Sequence, residues 1–476
     1  MNAPAGGPPS SAKPTTESLR HRDQHVLVHS LHSRSLQEQA HVWAGGRGAV
    51  LVDHDGREFL DALAGLWNVI IGHGREELAQ AAQRQMSSLA YASGYTGSTS
   101  LPAIELGERL QQICYPAGEG RSPGWPGMGG FYFATGGGEA VDAAVKTARW
   151  WWKLHDRPEK TGVIGRRYGY HGTGMVAMSA TGLPAYWPMF EPRLAGVEIA
   201  ESPYPYRFDR QQHARGHDDP RSNGEIAADL IEETIEHIGA DRIACVLAEP
   251  VQGAGGVIVP PDDYWPRLRA ICSRHDVLLI ADEIITGFGR TGPWFALERW
   301  GVEPDLVCFA KGITSGYVPL AGVGFRQEIA EAIRSAEGRT TWMHAATYSG
   351  HPVACAVANA NLAIIEREGL REQAAERGSM LLKQLATLST LSHVGEVRGL
   401  GLMAAVELVA NKETREEFPA TEKIGPRVHA ATQARGMFSR LRGDVYNLAP
   451  CYPVETPQLE RMVEILGESI HEVTGA

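Results

Sequence analysis

The chain has 476 residues, 43% hydrophobic and 21% charged, with a formal net charge of −11. This composition excludes wholesale disorder, and the length allows a large core without disulfides or structural metals. The acidic balance argues against a nucleic-acid surface, which needs a basic stripe, and no apolar run approaches the ~20 residues of a membrane helix. The six cysteines (Cys114, Cys245, Cys272, Cys308, Cys355 and Cys451) are scattered and form no C-x-x-C pair. That usage fits a reducing compartment and a cytoplasmic protein.

Residues 1–18 (MNAPAGGPPSSAKPTTES) lack the apolar core of a secretory signal and read as a flexible tail. His21, His25 and His29 recur every fourth residue, so on a helix they would share a face. No Cys, Asp or Glu completes a metal set at that spacing, and a polar helix face is the simpler meaning. Residues 48–58 predict two short strands around an Asp-Gly turn, residues 78–89 a helix and residues 116–130 a loop. From there apolar runs of strand length, at 131–134, 161–165, 244–249, 277–281 and 306–310, alternate with helical stretches such as 139–155 and 264–275. This alternation predicts an α/β fold with a mostly parallel sheet covered on both faces. Beyond about residue 350, long helices and a few strands read as a second domain.

Ligands of open parallel sheets bind beyond the carboxyl ends of the strands. The residues that follow the apolar runs are polar or glycine-rich: TGGGE at 135–139, YGYHG at 168–172, EPVQG at 249–253, Asp282 with Glu283, and Lys311. Gly136, Gly137 and Gly138 stand between a strand and a helix, where backbone N–H groups make an anion cup suited to phosphate. A tight turn without a ligand would explain the same glycines. GFGRTG at 287–292 matches G-x-G-x-x-G, but five residues separate it from the strand, so a nicotinamide site is set aside. Asp282 directly follows apolar residues and must find donors or a cation. That need is met by a structural ion pair or by a protonated heterocycle nitrogen. Lys311, placed the same way, is either a strand-end lysine reaching for water or an amine of lowered pKa that forms an imine with an aldehyde.

A phosphate cup, a carboxylate for a ring nitrogen and an imine-forming lysine are the fixed contacts of pyridoxal phosphate. With FATGGGEAVDAAVKTAR, YHG at 170–172, EPVQG, IADEIITGFGRTG, DLVCFAKG and TYSGHPVACA in this order, the chain resembles the class III aminotransferases over nearly its whole length. The resemblance implies fold type I. A large cofactor domain would span 75–345, and a smaller α+β domain would come from both chain ends, 19–74 and 346–476. It assigns Lys311 to the imine, Asp282 to the pyridine nitrogen, and Tyr170 and Ile284 to the two faces of the ring. Gly137 and Gly138 go to the phosphate, and Thr347 to the phosphate of a neighbouring subunit. Glu249 and Gln252 go to the hydroxyl side of the cofactor. A homodimer with shared sites, or a tetramer, follows from Thr347.

Four features depart from the family's common pattern or bear on the substrate. Gly136-Gly137-Gly138 stands where Ser-Gly-Ser/Thr is usual, which removes two hydroxyl donors from the phosphate loop. Asn447, before Leu448-Ala449-Pro450, takes the place of the arginine that binds 2-oxoglutarate in the ornithine and 4-aminobutyrate enzymes. Arg440, with Arg442 as its rival, resembles the carboxylate-binding arginine of the pyruvate-dependent ω-transaminases. Leu66-Trp67 resembles the pocket wall of that subgroup, although Trp67 also reads as a core side chain. The expectation is therefore transfer from an amine or ω-amino acid to pyruvate, giving alanine. A 2-oxoglutarate enzyme, or a racemase, aminomutase or decarboxylase of the same fold, stands as the alternative.

Overall fold

The computed structural model describes residues 13–31, 33–216 and 218–475. Its central sheet has seven strands in the order Met128–Ala134, Ala321–Arg326, Leu306–Phe309, Leu278–Asp282, Ile243–Ala248, Gly162–Arg166 and Val197–Ala200. The last five run parallel, and Ala321–Arg326 is antiparallel to both of its neighbours. Leu278 and Ile280 pack on one face of the sheet with Val141, Ala144 and Val145 of the helix Gly137–Leu154. Leu279 and Ala281 pack on the other with Tyr264, Trp265 and Leu268 of the helix Tyr264–Arg274. Alternate side chains thus enter two cores, which is why the strand sequence is apolar without a break. Burying each such leucine or isoleucine contributes about 1.5–3 kcal/mol.

Two smaller sheets flank this one. Trp43–Arg47, Val50–Asp53 and Glu58–Asp61 are joined by Met437–Phe438, which runs parallel to Glu58–Asp61 and so ties the two ends of the chain together. Val394–Gly399, Ala404–Leu408, Val445–Leu448 and Arg440–Arg442 form an antiparallel sheet.

The expected elements are present, with ends moved by a few residues. The loop expected over 116–130 stops at Gly127, because Met128 already pairs with Arg326. The Asp55-Gly56 turn joins Val50–Asp53 to Glu58–Asp61, and Trp43–Arg47 adds a strand before it. The expected tail is corrected at its inner end. Residues 1–12 lie outside the described residues, but Thr16 already opens the helix Thr16–Val26, capped by the Thr15 side chain accepting from the Ser18 N–H. That helix ends before His29, which pairs instead with Asp23 at 2.9 Å. The only cluster of three metal-ligating side chains among the described residues is elsewhere, at Glu232, Glu236 and His275. GFGRTG forms a buried turn rather than a helix start. A Cβ on Gly289 would lie 2.6 Å from Arg371 Cγ. Arg290 donates to the Leu402 and Pro450 carbonyls at 3.0 and 2.7 Å. No helix of the described residues is long and apolar enough to cross a membrane, and all six cysteines are buried free thiols.

Candidate active site

The parallel strands bring their carboxyl ends to one cavity of about 240 Å³. Gly137, Gly138, Tyr170, Glu249, Asp282, Ile284 and Lys311 all line it. Asp282 is the last residue of its strand, and its Oδ1 accepts from the Ile284 N–H at 3.2 Å. Its Oδ2 lies 2.7 Å from His171 Nδ1, with both side chains almost wholly buried. An ionised carboxylate can only accept, so Nδ1 carries the hydrogen. His171 Nε2 is buried in turn and has no hydrogen-bond partner among the described residues. The His171 backbone is fixed by its N–H donating to Thr181 Oγ1 at 3.0 Å.

Lys311 follows the neighbouring strand and begins the short 3-10 turn Lys311–Ile313 with φ +48°, a left-handed value that costs a non-glycine residue energy. Burial lowers its ammonium to about 8, against Asp282 and Glu249, whose charges raise it. Roughly a tenth of such an amine is neutral near pH 7. Glu249 follows the strand Ile243–Ala248 and accepts from the Tyr170 and Gly253 N–H groups, both at 3.0 Å. Burial pushes its carboxyl up to about 7.

The far wall is the start of the helix Gly137–Leu154. A Cβ on Gly137 would lie 2.8 Å from Ile284 Cδ1, so the helix start packs directly against Ile284, which would have to move for any side chain at residue 137. A Cβ on Gly172 would meet Gly138 Cα at 2.7 Å, which brings the YHG loop against the same turn. The helix has no side-chain cap, so its first N–H groups face an anion-binding end.

Other expected residues lie outside the cavity lining. Of the two readings of Trp67, pocket wall and core side chain, its burial in this chain matches the second. It is 1% exposed and packs with Val251, Val257, Ile285 and Met403, and its neighbour Leu66 is the residue that lines the cavity. The kink at Gly65 and Leu66, followed by φ +66° at Trp67, turns the two side chains apart. Thr347 is exposed, and its carbonyl accepts from Tyr91 Oη at 2.8 Å. Gln252 spends its amide on the Arg167 carbonyl and on Ser202 Oγ. Arg440 lies in a strand paired with Asn447, and its positive charge acts on Lys311 and Tyr170. Among the described residues the Arg440 guanidinium has no hydrogen bond or ion pair. Arg442 instead stacks 4.9 Å from the Tyr168 ring and lines a separate cavity of about 280 Å³. The sequence motifs gave no role to His171 or Thr173, although YHG held the signal for the first, in a histidine buried beside a strand-end carboxylate.

Comparison with known proteins agrees with this geometry. Residues 33–470 match the family Aminotransferase class-III. The chain belongs to the class III aminotransferases. A diaminobutyrate–2-oxoglutarate transaminase of Halomonas elongata is 38% identical over 472 residues, 97% of either chain. The putrescine–pyruvate aminotransferase of Pseudomonas aeruginosa is 36% identical over 458 residues, 96% of either chain. The crystal structure of a thermostable (S)-enantioselective ω-transaminase from Thermomicrobium roseum superposes with a TM-score of 0.89 at 42% identity, covering 97% of this chain and 100% of that one. An amine transaminase from an uncultivated Pseudomonas species, solved with pyridoxal phosphate bound, gives 0.87 at 39% identity, covering 94% of this chain and 98% of that one.

This class III aminotransferase is therefore a pyridoxal-phosphate-dependent transaminase of fold type I. Its residues fit the cofactor. The cradle at Gly137 would be filled by a single Cβ, Asp282 is held as an acceptor at the cavity floor, and the Lys311 amine has a lowered pKa.

Proposed function

We propose that this transaminase moves an amino group from an amine or ω-amino acid to pyruvate, giving alanine, and that Arg440 binds the carboxylate. The observation that carries the reading is the Arg440 guanidinium, unpaired among the described residues and acting on Lys311 and Tyr170. Asn447, buried and neutral with no hydrogen-bond partner for its Oδ1 among the described residues, cannot supply a charged bidentate grip for a second carboxylate. Of the two relatives above, one is named for 2-oxoglutarate and one for pyruvate, so the acceptor rests on these side chains.

Pyridoxal phosphate, when bound, supplies an aldehyde that carries the amino group and a ring that accepts the electron pair. The chain supplies the rest. Gly137 and Gly138 would hold the phosphate through backbone N–H groups, and Tyr170 and Ile284, which line the same cavity, would pack against the ring. Asp282 keeps the ring nitrogen protonated, and His171 holds Asp282. With the cofactor bound, Lys311 Nζ would take the proton from the donor's amine-bearing carbon and deliver it to the carbon on the far side of the transferred nitrogen, aided by its lowered pKa. Donor and acceptor occupy the site in turn, so the kinetics are ping-pong.

We also assign the working form to a cytoplasmic homodimer, with residues 19–74 and 346–476 as its smaller domain. The six buried free thiols and the pairing of Met437–Phe438 with Glu58–Asp61 support this. Exposed apolar residues such as Val26, Val28, Leu31 and Met343 give a partner chain something to cover.

The test follows colour. An amine donor should bleach the yellow protein, and pyruvate should restore the colour at least tenfold faster than 2-oxoglutarate. Arg440→Ala should slow recovery at least tenfold with either keto acid, because both carry the α-carboxylate. Faster recovery with 2-oxoglutarate would overturn the assignment of the acceptor.

A further inference from the structure

Leu66 reaches the cavity from a turn that the backbone does not adopt freely. Ala64 has φ +49° and Trp67 φ +66°, left-handed values at two non-glycine residues, with Gly65 at φ +66° and ψ −95° between them. The turn leaves Leu66 48% exposed at the cavity and buries Trp67 with no hydrogen-bond partner for its Nε1 among the described residues. Burying the Trp67 ring favours this turn; the exposed Leu66 and the unpaired indole N–H do not.

Side chains on either side of the turn hold it. The buried Asp61 accepts from the Leu63 N–H through Oδ1 at 3.2 Å and from the Gly65 N–H through Oδ2 at 2.6 Å. His73 Nε2 lies 2.8 Å from the same Oδ2. An ionised carboxylate only accepts, so Nε2 carries the hydrogen. Asn68 Oδ1 takes the Leu66 N–H at 2.9 Å. His73 is itself fixed. Its backbone exchanges hydrogen bonds with Gly48 at 2.9 and 3.0 Å, and a Cβ on Gly46 would sit 2.9 Å from its Cγ. Before the turn, the Ala62 N–H donates to the Phe438 carbonyl at 2.9 Å; after it, the Tyr452 N–H donates to the Ile70 carbonyl at 2.7 Å. Between these two ties, the place of Leu66 depends on Asp61, which His73 orients.

We infer that His73 and Asp61 are positioning residues for donor selection. Through the Gly65 N–H they hold the turn at residues 64–67 so that Leu66 walls the cavity, and this wall limits the substituent carried on the donor's amine-bearing carbon. Neither side chain lines the cavity, so the pair acts on the size of the donor and leaves proton transfer at Lys311 untouched. The inference deepens the proposed amine-donor reading and rests on it. Removing the Leu66 side chain should favour a larger donor by about tenfold, the scale set by a methylene's worth of contact in an apolar pocket. Removing the His73 donor should move the selectivity the same way by a smaller factor, because a displaced wall gives up part of that contact.

The experiment follows bleaching of the full-length holoenzyme by 2-aminopropane and by 1-cyclohexylethylamine, then recovery of colour with pyruvate. Leu66→Ala should raise the rate ratio of the larger to the smaller amine about tenfold. His73→Leu should raise it about threefold or more, with recovery by pyruvate within about twofold of the wild type. His73→Gln, whose amide presents an N–H where Nε2 stands, should restore the wild-type ratio. Added to Leu66→Ala, the His73→Leu change should shift the ratio no further, because the wall it positions is gone. An unchanged ratio in His73→Leu, as a merely structural role would give, overturns the inference. So does a ratio still shifted in His73→Gln, or a further shift in the double variant. Should His73→Leu not fold, His73→Asn, too short to reach Asp61, carries the same expectations. Loss of folding in both would make His73 a residue of the fold and overturn the inference. A yellow wild type bleached by neither amine would instead fail the donor reading itself, and the inference with it.

Discussion

Lys311 and Asp282 end adjacent parallel strands whose register sets Asp282 beside Cys308. Neither side chain is explained by packing, and each costs the fold something: a left-handed backbone at Lys311 and a buried carboxylate at Asp282. Both stood out in the sequence as charged residues directly after unbroken apolar runs, and the resemblance to the family chose between their structural and chemical readings. Lys311→Ala should lower turnover by about a thousandfold or more, the range of a lost acid–base group. Its unfolding temperature should stay close to that of the wild type; near-native transamination would sink the assignment. His171 was less legible, because its role depends on a partner 111 residues away that no spacing reveals. His171→Ala should cut kcat about tenfold and shift its pH profile, since the hydrogen bond to Asp282 is charge-assisted. His171→Asn keeps an N–H donor and should recover part of both. A profile unchanged in the alanine variant would reduce His171 to packing.

At the scale of elements, the strands that read clearly were those buried on both faces. Their five or six apolar residues admit no other placement in a crossover fold. Ala321–Arg326 escaped because two glycines dilute its pattern: Cβ atoms at Gly322 and Gly324 would collide with Phe309 and Val307 of the neighbouring strand, at 2.6 and 2.8 Å. The helix Asn223–Ile238 carried a usable signal in the Ser222–Glu225 capping box, which sits inside a polar stretch. Trp67 shows the opposite limit. Two consecutive residues at a kink face different ways, and no periodicity tells which one reaches the cavity.

The strand-end placement of Glu249 carries a prediction of its own. Its carboxyl is raised from 4.5 to about 7 in the folded chain, chiefly by burial. The folded state therefore holds this proton more tightly than the unfolded state. The corresponding stability is fully present below pH about 4.5 and is lost as pH rises through about 7. The loss is roughly 3 kcal/mol at most, at 1.36 kcal/mol per pKa unit. Urea unfolding of the apoprotein across this range should show Glu249→Gln with a flatter stability profile than the wild type. Parallel profiles would mean that the carboxyl is ionised in the fold throughout.

For the whole molecule, the question is why Thr347 lies outside the cavity of its own chain. It is exposed, with its carbonyl engaged by Tyr91, and it is followed by the exposed Tyr348. If the chain forms the proposed homodimer and shares its sites, each cavity combines one chain's Lys311 with Thr347 of the partner subunit. Mixing two defective variants separates this from a self-contained site. Thr347→Ala alone should weaken cofactor binding about tenfold, as expected for one lost hydrogen bond to a phosphate. Lys311→Ala alone should be inactive. In a mixed dimer of the two, one cavity carries both substitutions and the other carries neither. Unfolding and refolding the pair together should then create sites with wild-type cofactor affinity and turnover. In a self-contained arrangement every cavity would keep one defect, and no wild-type site would emerge at any mixing ratio. Titrating the mixture with pyridoxal phosphate decides between them, because a tight-binding, active fraction that grows with the share of mixed dimers arises only when the chains complete each other's sites.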